Sequence, residues 1–152
     1  MADYFTQVSF AFSATPIEAN KIAAVLEMDG STLDEVEYPD ILKSVWPSAA
    51  AMFAVLSDTP VDDWLQLGVE DTSYEDGDFW ISGSSPNLEA IAVMLQAILQ
   101  LDQPVVMEWA NTCTKLRLDA FGGGVAVIFK DEIVWRNTST IADEIINARK
   151  AA

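Results

Sequence analysis

The chain has 152 residues, 51% apolar and 21% charged, with 24 acidic side chains against eight basic ones, no histidine, and a formal net charge of −16. That is enough apolar sequence for one domain with a hydrophobic core, and it excludes an intrinsically disordered chain. The charge argues against direct contact with DNA, RNA or an anionic membrane.

The first residues, MADYFTQVSF, lack a basic lead and an uninterrupted apolar run, so no signal peptide is expected. Residues 4–12 alternate, with Tyr4, Thr6, Val8, Phe10 and Phe12 on one side and Gln7 and Ser9 on the other, the pattern of a half-buried strand. Thr15-Pro16-Ile17-Glu18 then reads as the start of a helix. Thr15 is a cap, Pro16 suits the first turn, and Glu18 completes a capping box. Ile17, Ile22, Val25 and Leu26 are its expected buried face, and Gly30 its stop.

Residues 31–58 read as an insertion: an acidic loop with Asp34, Glu35, Glu37 and Asp40, then an apolar helix over 41–57 interrupted by Pro47. Residues 64–70 alternate again and predict a strand, and Glu75-Asp76-Gly77-Asp78 predicts a hairpin turn into a partner strand over 79–82. Ser85 and Pro86 are expected to open a helix that is nearly apolar all round. Residues 88–101, broken by Glu89, Gln96 and Gln100, are too short to cross a bilayer. Residues 104–111 read as a strand, 125–129 and 133–136 as a hairpin, and Thr140 onward as a short helix with Ile141, Ala142, Ile145 and Ile146 on its apolar side.

This order predicts a single α+β domain over residues 1–152. Without the insertion, the C-terminal hairpin and the last helix, it is βαββαβ, an antiparallel ferredoxin-like sheet with helices on one face.

No stretch carries a catalytic signature. Cys113 lies near Lys115 and Arg117, but no histidine is available as its base, so a packed apolar thiol is the expectation. As the lone cysteine it excludes an internal disulfide and fits the cytoplasm. Gly122-Gly123-Gly124 lacks the lysine and hydroxyl of a phosphate loop and is followed by a strand. It is expected to be a loop, a bulge or a close backbone approach. Asp71, Glu75, Asp76 and Asp78 do not follow calcium-loop spacing, so a solvated turn is expected and no metal or cofactor is assigned. The tryptophans read as core and sheet-face residues. Glu108, Lys115, Arg117 and Arg136 form a candidate polar site on the sheet, weighed against surface ion pairs.

Charge is distributed unevenly. No basic residue occurs between Lys43 and Lys115, an interval that holds Asp62, Asp63, Glu70, Asp71, Glu75, Asp76 and Asp78. A solvated acidic surface accounts for part of this, but −16 lies beyond the net charge of about 2 to 8 that solubility asks of a small domain.

From Asp78 onward the chain resembles a family of small uncharacterised proteins carried by bacteriophages, plasmids and other mobile elements. The resemblance rests on Glu108-Trp109-Ala110, Thr112-Cys113, Lys115, Arg117, Phe121-Gly122-Gly123-Gly124 and Ile133 through Thr138, with Trp135-Arg136-Asn137-Thr138. It spans about half of the sequence, and these motifs mark the family without pointing to a reaction. Leu116 departs from the family's proline, which predicts a less rigid loop, and residues 34–62 look like an addition. The resemblance implies a protein that meets a host or competitor machine.

The leading expectation is therefore a non-enzymatic acidic interaction protein, in its specific form an inhibitor of a nucleic-acid-binding complex, a CRISPR surveillance complex included, by charge mimicry. Asp62, Asp63, Glu70, Asp71, Glu75, Asp76 and Asp78 are the expected contacts with a basic protein surface. Two other classes stand beside it. One is a small-ligand or metal-dependent domain or enzyme using Glu108, Lys115, Arg117 and Arg136. The other is a self-associating structural protein, a homodimer for example, using the apolar helix at residues 49–56.

Overall fold

The computed structural model describes residues 4–57, 64–116 and 121–151. The first strand, β1 (Tyr4–Ser13), follows its alternation, burying Val8, Phe10 and Phe12. In α1 (Pro16–Glu27) the capping box forms as its residues require: Thr15 Oγ1 accepts from the Glu18 amide at 3.2 Å, and Glu18 Oε1 accepts from the Thr15 amide at 2.8 Å. Ile22 and Val25 reach the core. Ile17, expected beside them, is 64% exposed, because five residues of helix turn it about 140° away from Ile22.

The helix expected over 41–57 is instead a single 3-10 turn at Asp40–Leu42 and, beyond Pro47, α2 (Ala49–Leu56). Pro47 cannot continue the first segment, and Ser48 starts the second by accepting from the Ala51 amide at 3.1 Å. Residues 64–70 are not a strand. Leu65 and Leu67 are fully buried nonetheless: the Leu65 amide donates to the Ser31 carbonyl, and residues 67–69 find Asp29 in place of a sheet neighbour. Its carboxylate accepts from the amides of Leu67 at 2.6 Å, Gly68 at 3.1 Å and Val69 at 3.4 Å.

The hairpin is β2 (Asp71–Glu75) and β3 (Asp78–Gly83). It is followed by α3 (Leu88–Ile98), whose cap is Asn87 rather than the expected Ser85. Then come β4 (Val105–Cys113), β5 (Gly122–Ile128), β6 (Ile133–Asn137) and α4 (Thr138–Lys150).

All six strands form one antiparallel sheet in the order β2-β3-β1-β4-β5-β6. This corrects the expected four-stranded ferredoxin-like sheet. The C-terminal hairpin is no appendage, since β5 pairs with β4 from Val105↔Ile128 to Asn111↔Gly122 and carries β6 to the new edge. The glycine run permits that pairing. A Cβ on Gly124 would run into the Trp109 indole and the Arg136 carbonyl, and one on Gly123 into the Trp109 carbonyl.

One face of the sheet is covered. Phe10, Phe12, Phe79, Ile81, Val105, Met107, Ala126 and Ile128 join Ile22, Met52, Phe53, Leu56, Ile91, Met94 and Leu95 of α1, α2 and α3 in a single core. Among the described residues the opposite face is left open. No helix among the described residues is long and apolar enough to cross a membrane.

Candidate functional site

The open face has a well-defined pattern on its β2-β3-β1 side. Strand register sets Asp71, Ser82 and Ser9 in one row, Ser73, Trp80 and Ala11 in the next, and Glu75, Asp78 and Ser13 in the third. Neighbours within a row are about 4.8 Å apart, and rows about 7 Å apart. Trp80 stands in the middle, 53% exposed, its indole Nε1 donating to Ser9 Oγ at 2.9 Å. Strand alternation causes this: Phe79 and Ile81 go into the core, so Trp80 between them must face out.

The acidic residues of the hairpin bracket that indole. Asp71 lies on one side, with Glu75 and Asp78 on the other, and Asp71 and Glu75 on one strand are roughly 13 Å apart by the rise of an antiparallel strand. Asp76 occupies the turn at φ 53° with Gly77 at φ 83°, the left-handed pair that a two-residue hairpin requires. Glu70 precedes the strand, its carboxylate accepting from the Ser84 hydroxyl. All five are exposed. Among the described residues the salt bridges are Lys43–Asp40 at 2.6 Å and Arg136–Glu144 at 3.5 Å, so none of the five carboxylates is neutralised by a cation. Glu75 and Asp78 face each other across the strands, an arrangement that costs stability. Asp62 and Asp63 lie outside the described residues.

A shallow depression of about 590 Å³ continues the same face toward β4, lined by Gln7, Ser9, Glu70, Ser82, Ser84 and Glu108 among others. Glu108 thus lines the same depression as Glu70. Glu108 and Arg136 both register with Val125, one strand to either side, and Arg136 turns to Glu144 of α4. Lys115 is exposed beyond the end of β4, and Arg117 lies outside the described residues. In the described part of the chain, Glu108 and Arg136 share one row of the sheet with Val125 between them. No group of three or more His, Cys, Asp or Glu side chains there is arranged to hold a metal ion.

The helix expected to serve self-association turns its larger side chains inward. In α2, Met52, Phe53 and Leu56 are between 0% and 2% exposed and pack against α3, which leaves Val55 as the exposed large side chain. Cys113 is partly buried at the end of β4. Sequence reasoning treated Trp80 as one sheet-face residue among several. The signal that singles it out is its position between two buried neighbours in a strand flanked by acids.

No family model, curated protein or solved structure matches the chain.

Proposed function

We propose that the protein is a non-enzymatic interaction protein that binds a basic, nucleic-acid-binding complex by presenting carboxylates in place of phosphates. The observation that carries this reading is the hairpin edge, where Glu70, Asp71, Glu75, Asp76 and Asp78 surround an exposed tryptophan without a cation among the described residues to neutralise them. Such charge steers a basic partner, and a central tryptophan supplies the apolar anchor that interfaces concentrate their energy on. The placing of like charges opposite each other supports a use outside the fold, since the fold alone is weakened by it. The resemblance to mobile-element proteins supports a host defence or regulatory complex as the target.

The test is capture of the partner from host-cell lysate at low salt, with stepwise elution and competition by duplex DNA. The complex should release by about 0.5 M NaCl, as contacts dominated by charge do, and duplex DNA should displace it. Reversal at Asp71, Glu75 and Asp76 to lysine should abolish capture, and Trp80→Ala should weaken it about tenfold or more. A complex that survives both high salt and the triple reversal would remove charge mimicry as the mechanism.

A further inference from the structure

The C-terminal helix presents a problem that the rest of the fold does not solve. Thr138–Lys150 forms a regular α4, capped by Asn137 Oδ1 accepting from the Thr140 amide at 2.8 Å, yet none of its residues is buried. Thirteen residues are marginal for an isolated helix in water, so a helix of this length normally needs an apolar face covered by something else. That face exists and is open: Ile141 is 39%, Ile145 64% and Ile146 51% exposed. Phe121, 48% exposed, precedes β5, whose Gly123 amide donates to Thr138 Oγ1 at the helix start at 3.4 Å.

The charges say what covers it. The helix holds two acids, Asp143 and Glu144, and two bases, Arg149 and Lys150, so it is neutral while the remainder of the chain carries the whole −16. Two copies of so acidic a protein repel through most of their surface and can approach at this helix without that penalty. Asp143 and Lys150 are seven residues apart, two turns, and therefore share one flank of the apolar stripe. Antiparallel helices related by a twofold axis bring like flanks together. A pair centred between Ile146 and Asn147 sets each Asp143 against the other copy's Lys150. A parallel pair would instead bring unlike flanks together, setting Asp143 against the other copy's Glu144. Glu144, on the other flank, is held by Arg136 of its own chain.

We infer that α4 is a self-association surface through which two copies of this chain pair antiparallel, burying Ile141, Ile145 and Ile146 and closing reciprocal Asp143–Lys150 contacts. The pattern is self-complementary, as an isologous interface must be. It adjoins β6, at the opposite edge of the sheet from the acidic hairpin, so pairing leaves both hairpins free. The inference does not depend on the proposed partner.

Sedimentation equilibrium at about 150 mM NaCl, where the Debye length is about 8 Å, tests it on the full chain. The wild type should be a dimer at micromolar concentration, and Ile145→Asp a monomer with an unchanged tryptophan emission spectrum. Asp143→Lys or Lys150→Asp alone should raise the dimer dissociation constant about fivefold or more, as like charges replace opposite ones. The double exchange Asp143→Lys/Lys150→Asp should bring it back to within about twofold if the pair is reciprocal. A monomeric wild type, or a dimer indifferent to Ile145→Asp, overturns the surface. A dimer whose double exchange fails to restore affinity overturns the antiparallel pairing.

Discussion

Asp29 shows how one side chain can do the work of a missing strand. Residues 64–70 alternate as a strand should, yet the amides of Leu67, Gly68 and Val69 are satisfied by its two carboxylate oxygens. Asp29→Ala would strand three amide donors, and should lower unfolding stability in urea by about 2–4 kcal/mol given that several partners are lost at once. Asp29→Asn keeps one accepting oxygen and should cost less. Tyr38 offers a second residue-scale test. Its hydroxyl meets the Trp46 carbonyl at 2.6 Å, and burial raises its pKa above the ordinary 10.0. Its share of stability is whole below pH 10 and is lost as pH rises through the higher folded value, because there the unfolded chain releases a proton that the native state keeps. Wild type should therefore lose its advantage over Tyr38→Phe, about 1 kcal/mol at neutral pH, when both are melted above pH 10. Gly124 was legible only as part of a loop, a bulge or a close backbone approach. The Trp109 indole shows that it is a close approach, so Gly124→Ala should destabilise by displacing that ring.

At the scale of elements, local signals were readable wherever the chemistry was local. The Thr15 and Glu18 box, the Asp76-Gly77 turn and the alternation of β1 and β4 all follow from residues close in sequence. Thr15→Ala should cost about 1 kcal/mol. Glu18→Ala should cost more, because Glu18 Oε2 also accepts from the Gln100 amide at 2.8 Å, a contact 82 residues away that periodicity does not carry. The apolar run of α2 announces burial, and the nearly all-round apolar α3 announces the need for a cover. The two pack against each other, so Phe53→Asp should unfold the domain rather than split an oligomer, with a loss above about 3 kcal/mol in chemical denaturation. Ser85 and Asn87 are both good caps, and the choice of Asn87 is tertiary. Its side-chain amide also donates to the Gln66 carbonyl at 3.1 Å.

Across the whole molecule, charge and topology act together. With −16 on one domain, self-repulsion opposes compactness, and raising NaCl from about 10 to 200 mM should raise the melting temperature as that repulsion is screened. A flat or falling response would mean that the described ion pairs outweigh the repulsion. The sheet then sorts the charge. Its β2 edge holds unneutralised acids and its β6 edge leads into a neutral, apolar-faced helix.

Composition, caps, turns and strand alternation by themselves determined that the chain forms an α+β domain, roughly where its elements lie, and that its acids crowd into one interval lacking bases. These are properties of neighbours along the chain, set by backbone sterics and side-chain polarity. The six-strand order, the role of Asp29, the isolation of Trp80 among carboxylates and the open face of α4 were decided by tertiary structure alone. Each depends on pairing between segments distant in sequence, and edge selection is governed by which surfaces can close together.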